Sequence, residues 1–236
     1  MTGGTNAVVG TPVAEGVGRI PGFVNSYIFQ DGTETVLIDT GISSKAKPIV
    51  RAFRVAGVPL TRVGKVLLTH HHIDHRRGAA YLIEQSRASL ACHGEDAPIV
   101  DGRAKAPMPL LMRLFMRVRP APVATVLKDG DQVGPFVVVF VPGHTPGEVA
   151  FYHPGRKLLF SGDSVVERDG HLTLPGVKYA SNLEQAVRSL DRLRSLNVEL
   201  LLPGHGVPVS KDFASLLDDL IRRAPADYLA RPPAQR

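Results

Sequence analysis

The stretch Thr69-His70-His71-His72-Ile73-Asp74-His75 constrains this chain more than any other. It crowds four imidazoles and a carboxylate together directly after the apolar run Val66-Leu67-Leu68. That run reads as a strand, so the polar cluster sits at a strand exit, where the chain turns toward a helix beginning near Arg77. On an extended backbone His70 and His72 point to one side and His71 to the other, so His71 is expected not to be a ligand. Neutral imidazoles and a carboxylate brought to one point suit zinc or a similar divalent ion. A solvated histidine-rich loop is the alternative, and further ligands elsewhere in the chain decide between the two.

Three more strand-like runs end in a lone His or Asp set in a tight turn. Phe136 to Val141 leads into Pro142-Gly143-His144-Thr145-Pro146-Gly147. Lys157 to Phe160 leads into Ser161-Gly162-Asp163-Ser164, and Val198 to Leu202 into Pro203-Gly204-His205-Gly206. Glycine lets the backbone turn sharply there and approach a partner closely. Loops at strand ends are where chemistry is commonly carried.

In this order the motifs Thr-His-x-His-x-Asp-His, Gly-His-Thr-Pro-Gly, Gly-Asp-Ser and Pro-Gly-His-Gly resemble those of the metallo-β-lactamase-fold hydrolases, from about Asn25 to about Pro208. The resemblance implies an α+β fold, a four-layer αββα sandwich of two mixed β-sheets with helices outside. It also implies a site for two divalent metal ions, zinc favoured, with iron or manganese as alternatives. Carried over by position, His70, His72 and His144 hold the first ion. Asp74, His75 and His205 hold the second, and Asp163 bridges both. Asp39 follows the strand Thr35 to Ile38, and the family role at that place is to support the ligands, as a carboxylate accepting the free N–H of an imidazole fixes ring and tautomer. The chain departs from the family pattern at Arg77, where a glycine is usual, and at Glu148, where a small or polar residue is common.

The remaining chain supplies ordinary elements. Ser26 to Gln30 and Thr35 to Ile38 form a hairpin around Asp31-Gly32. Helices are expected over Ser44 to Ala56, with Pro48 near its start, over Gly78 to Gln85, and over Phe213 to Ile221. Another starts from a capping box at Ser181 and Glu184. Ser164 to Val177 reads as a loop. Residues 1–236 are expected to form a single domain, with 101–123 as a lid insertion and 224–236 as a loose tail. Within that insertion prolines bracket a short helix with Leu111, Leu114, Phe115 and Val118 on one face and Met112 and Met116 on another. Such a helix is either core or a lid with an apolar face, and its nine residues, Leu110 to Val118, are short for the third option, a membrane-surface helix.

Composition narrows the function classes. One cysteine, Cys92, in an apolar strand, excludes an internal disulfide framework and fits the cytoplasm. The N-terminal residues show no signal peptide, and no apolar run reaches a membrane span. The net charge of +6 is spread as scattered arginines, so neither nucleic acid nor a membrane is an expected partner. A small-molecule substrate is expected, and a homodimer is compatible with the chain.

The reading is a dinuclear-metal hydrolase in which a metal-bridging hydroxide cleaves an ester-type bond: a lactone, ester or thioester with an apolar part. Asp74 is then both ligand and catalytic acceptor orienting the nucleophile, because a divalent ion lowers the pKa of bound water to about 7. Met112, Phe115, Lys178 and Tyr179 are the expected substrate contacts. The alternatives are a β-lactamase-like or phosphodiester hydrolase, a mono-iron persulfide dioxygenase, and a non-catalytic metal-binding protein. Only about thirty residues follow His205, which speaks against the glutathione-binding mode of longer relatives.

Overall fold

β-Branched and aromatic runs broken by glycine and proline turns favour strands over helices, and the chain forms fourteen of them among the residues described. The computed structural model describes residues 8–32, 34–107, 117–176 and 179–229. The chain divides into two units, the first of Met1–Leu68, Ile73–Ala91 and Val100–Thr125, the second of Thr69–His72, Cys92–Ile99 and Val126–Arg236.

A seven-stranded sheet runs in sequence order: β1 (Thr11–Ala14), β2 (Val17–Ile20), β3 (Ser26–Asp31), β4 (Glu34–Ile38), β5 (Val63–Leu67), β6 (Ser89–His93) and β7 (Thr125–Leu127). The hairpin β3–β4 pairs Tyr27 with Ile38 and Asp31 with Glu34. β4 with β5 and β5 with β6 are parallel, and parallel neighbours need a crossover. Helix α1 (Lys47–Val55) supplies the first, burying Ile49 and Phe53 at i, i+4 and carrying Pro48 in its first turn. Helices α2 (Ile73–Arg76) and α3 (Ala79–Ser86) supply the second. β5 begins three residues before the expected Val66. Because β4 and β5 run the same way, they end at one edge, and the Asp39 N–H donates to the Leu67 carbonyl over 2.9 Å. The hairpin β1–β2 went unforeseen, since two four-residue strands around Gly16 carry too little alternation to read.

Helix α4 (Ala97–Val100) is a single turn. The second unit is built on a five-stranded sheet in the order β14-β11-β10-β9-β8, from β8 (Gln132–Val133), β9 (Phe136–Phe140), β10 (Val149–His153), β11 (Leu158–Gly162) and β14 (Leu200–Pro203). β9 and β11 are each antiparallel to β10, and β14 is parallel to β11. Hence β9, β11 and β14 run in one direction, and His144, Asp163 and His205 all leave the same edge of this sheet. Helices α5 (Leu183–Arg194) and α6 (Phe213–Leu229) cover one face, where Val139, Ala150, Leu159 and Leu201 meet Leu190, Leu193, Leu217 and Leu220. Phe136 meets the rings of Phe151 and Phe160 edge-on, at 6.5 and 5.5 Å.

The α+β fold with two mixed sheets that the motif order implied is therefore present. Three local expectations are corrected. Ser164 to Val177 is not all loop: β12 (Val166–Arg168) and β13 (His171–Thr173) form a hairpin, because Asp169 and Gly170 both take positive φ, the conformation of a tight two-residue turn. The cap of α5 is Asn182, whose Oδ1 accepts the Gln185 N–H at 3.0 Å, while the Ser181 hydroxyl donates to the Gly143 carbonyl. Helix α6 continues past Ile221 to Leu229, so the loose tail expected from 224 does not begin there. Phe213, Leu217, Leu220 and Ala224 keep one buried stripe and carry the helix on. The helix expected around Leu111 to Met116 lies outside the described residues. No helix among those described is long and apolar enough to cross a membrane.

Leu217 is fully buried in the α5–α6 core. Leu217→Ala is expected to lower unfolding free energy by about 3 kcal/mol, read by urea denaturation.

Candidate metal centre

In the second unit His70, His72 and His144 offer ligand atoms all within 4.8 Å of one another. Their rings stand edge to face, with centroids 4.9 Å apart for His70–His72, 4.9 Å for His70–His144 and 4.5 Å for His72–His144. Asp163 presents one oxygen, Oδ2, at 3.4 Å from the Nε2 atoms of both His144 and His205. His70, His144 and Asp163 are buried. Three neutral imidazoles and a carboxylate, with low exposure to water, are the donor set a zinc-like ion takes. The arrangement fits a divalent ion on chemistry as well as spacing.

The backbone explains how these side chains arrive. Thr69 Oγ1 lies 3.0 Å from His70 Nδ1, and the Thr69 carbonyl accepts the Val149 N–H at the start of β10. The His144 turn lies on the entry to α5: the Asn182 N–H donates to the Gly143 carbonyl and the Ser181 N–H to that of His144. Gly143, at φ 138°, allows this approach, since a Cβ there would fall 2.2 Å from the Ala186 nitrogen. Gly162, at φ 55°, does the same beside Thr69, where a Cβ would meet the Thr69 side chain at 2.7 Å and displace the turn that presents Asp163.

A buried carboxylate ties two of these loops together. Asp96 accepts the His71 N–H at 2.7 Å, the Thr145 hydroxyl at 2.9 Å and the Gly147 N–H at 2.9 Å, and its Oδ1 lies 3.0 Å from His71 Nδ1. Burial pushes its carboxyl upward, but His71 and the Thr145 hydroxyl outweigh that and hold it below the usual carboxylate range. His71 is thus a buried partner of Asp96. His93 is half-buried and stacked on Phe140 at 4.3 Å, with burial lowering its pKa.

In the first unit His75 is held at both ends. Asp39 Oδ2 lies 2.8 Å from its Nδ1, and the Thr40 N–H and hydroxyl both donate to its carbonyl, at 2.6 and 2.8 Å. Asp39 is buried and takes φ 57°, an uncommon conformation for a non-glycine residue. A proton held on Nδ1 by this carboxylate leaves the lone pair on Nε2. Asp74 Oδ2 is 4.0 Å from that Nε2. Arg76 is buried and Arg77 half-buried, and Gly78 must be glycine because a Cβ would lie 2.5 Å from the Thr40 carbonyl. Of the expected substrate contacts, Met112, Phe115 and Lys178 lie outside the described residues, and Tyr179 is 59% exposed. Asp96 and Glu148 are the site residues that sequence reasoning did not assign. No spacing pattern pointed to them, since their partners lie far along the chain.

The pattern describing the metallo-beta-lactamase superfamily matches residues 19–205. The chain belongs to that superfamily. It is a metal-dependent hydrolase. It is 32% identical over 197 residues to a hydroxyacylglutathione hydrolase of Bdellovibrio bacteriovorus, covering 80% of this chain and 66% of that one. An acyl-coenzyme A thioesterase of Bos taurus, MBLAC2, is 27% identical, over 77% of this chain and 72% of its own. Among solved structures, a metallo-beta-lactamase family protein from Thermus thermophilus aligns with a TM-score of 0.77 at 25% identity, covering 93% of this chain and 82% of that one.

Asp96→Ala in this superfamily member removes the acceptor of three buried donors and is expected to destabilise the metal-free protein by about 3 kcal/mol. The Asp96 pKa is depressed in the folded state, so its contribution is present above the unfolded aspartate pKa of about 3.9 and is lost as pH falls through the lower folded value. Denaturation curves from pH 6 to pH 2.5 should show the gap between wild type and Asp96→Ala closing only at the acid end.

Proposed function

We propose that this hydrolase holds two divalent ions and cleaves an ester-type acyl bond, with thioesters the leading substrate class. The observation that carries the reading is the convergence of His70, His72 and His144 beside an Asp163 oxygen set between two imidazoles. Following the family pattern, the first three histidines take one ion, Asp74, His75 and His205 the other, and Asp163 both. Zinc is the metal proposed, with iron and manganese as alternatives. Thioesters lead because relatives include a named thioesterase and a hydroxyacylglutathione hydrolase, alike over most of this chain.

Bound ions would supply a Lewis acid and a water acidic enough to ionise near neutral pH. The chain's own residues do the rest. Asp39 keeps the His75 proton on Nδ1. Burial of His70 and His144 excludes bulk water and strengthens each electrostatic contact. Asp74, intermediate in exposure, is the carboxylate proposed to accept a proton during hydrolysis. Side-chain nucleophiles are poorly placed to compete: the Ser164 hydroxyl donates to the Ser161 carbonyl at 2.7 Å, and Cys92 is fully buried. The substrate is proposed to be a small molecule, handled without nucleic acid or a membrane. The segment with Met112 and Phe115 is proposed from sequence to contact its apolar part, with Lys178 and Tyr179 as additional polar groups near the substrate.

Elemental analysis of zinc-reconstituted protein is expected to give about two equivalents per chain. A panel of acyl thioesters, lactones, β-lactams and phosphodiesters should show highest kcat/KM for an acyl thioester, rising with pH through about 7. Asp74→Asn should lower kcat by roughly 10²–10⁴-fold. One equivalent at saturation with iron preferred, or full turnover in Asp74→Asn with unchanged metal content, refutes the mechanism. The double variant Met112→Ala with Phe115→Ala should reduce kcat/KM for long acyl chains by about tenfold while sparing short ones.

A further inference from the structure

We propose that Glu148 is a positioning residue of the metal centre, holding Asp163 by its backbone and setting a carboxylate charge behind the ring of His70. Glu148 is completely buried. Its Oε1 accepts the Asp163 N–H at 2.9 Å, and the same oxygen lies 4.0 Å from His70 Nδ1, on which Thr69 Oγ1 also closes at 3.0 Å. The backbone that carries it is fixed on both sides. Its carbonyl accepts the Val141 N–H at 3.0 Å, and the N–H of the next residue, Val149, donates to the carbonyl of Thr69 at 2.9 Å. One carboxylate therefore stands between the turn that presents Asp163 and the stretch that presents His70.

Burying a carboxylate is costly, and a single backbone N–H could be satisfied by the amide oxygen of glutamine at far smaller cost. The charge has a use if it faces a ring proton and, through His70 and Asp163, a cation beyond them. A carboxylate behind a ligating imidazole favours the proton on the near nitrogen, directs the far nitrogen's lone pair outward and raises its basicity. Glu148 would act on His70 through its charge at 4.0 Å, with Thr69 Oγ1 the nearer partner of Nδ1 at 3.0 Å, whereas Asp39 meets His75 directly at 2.8 Å. The inference rests on His70 and Asp163 being ligands.

The test is Glu148→Gln, which keeps an oxygen for the Asp163 N–H and removes the charge, alongside Glu148→Ala, which removes both. Zinc affinity is read by competition with a chromophoric chelator, and folding by thermal denaturation of metal-stripped protein. Glu148→Gln is expected to bind zinc about 10–100-fold more weakly at an unchanged Tm, and Glu148→Ala to lose both affinity and Tm. Wild-type zinc affinity in folded Glu148→Gln overturns the proposal and leaves the hydrolase reading intact. A wild-type protein that binds no zinc, iron or manganese overturns both. If Glu148→Gln does not fold, wild-type protein decides: multiple-bond ¹H–¹⁵N NMR of the metal-stripped chain should show His70 with its proton on Nδ1, and a proton on Nε2 overturns the proposal.

Discussion

Buried carboxylates that accept from backbone amides and face imidazoles fix the loops within each unit. Asp39, Asp96 and Glu148 are each almost or wholly removed from water. A carboxylate in that position is unfavourable unless several donors converge on it. Donors do converge: Asp96 accepts from the His71 and Gly147 amides and the Thr145 hydroxyl, and Asp39 faces His75. The same hydrogen bonds that offset desolvation also fix where the loops can go. Loop position and carboxylate burial are therefore one constraint.

Sheet direction brings the loops within reach of these anchors. Because β9, β11 and β14 run the same way, three separate turns emerge from one edge of the second sheet with His144, Asp163 and His205. In the first sheet the parallel pair β4–β5 places Asp39 beside the end of the strand that leads to His70. Glycine makes the last approach feasible at Gly143 and Gly162, where any Cβ would strike backbone or the Thr69 side chain. The twelve-residue α5 and the buried stripe of α6 hold the second sheet from behind.

What was legible in the sequence was local. The spacing of His70 and His72 on an extended strand, and a lone His or Asp after an apolar run and before glycine, follow from periodicity within a few residues. The hairpin at Asp31-Gly32 is equally readable, whereas the one at Asp169-Gly170 is hidden because its flanking strands are only three residues long. Asp96 was invisible for another reason: its partners stand 25, 49 and 51 residues away, and nothing in Gly94-Glu95-Asp96 distinguishes an anchor from a solvated turn. Glu148 stands out in the sequence only as a departure from the family pattern, since its partner Asp163 is fifteen residues on and across a hairpin. The cap at Asn182 lost to Ser181 in the sequence because both suit the position, and only the contact of Ser181 with the Gly143 carbonyl separates them.

These anchors have a consequence for how an ion would bind. The ring of His75 is oriented by Asp39, that of His70 lies against Thr69 and Glu148, and the His144 turn is fastened to the entry of α5. Each restraint is made by the protein alone. Ordering a free side chain costs about 0.5–1.5 kcal/mol, and here that cost falls on folding instead of on metal capture. The strain of Asp39 at φ 57° is likewise carried by the folded chain, which holds it through the hydrogen bond to the Leu67 carbonyl. Side chains held in this way within each unit would gain affinity for an ion from rigidity. The weak points are then the carboxylates behind the imidazoles as much as the imidazoles themselves.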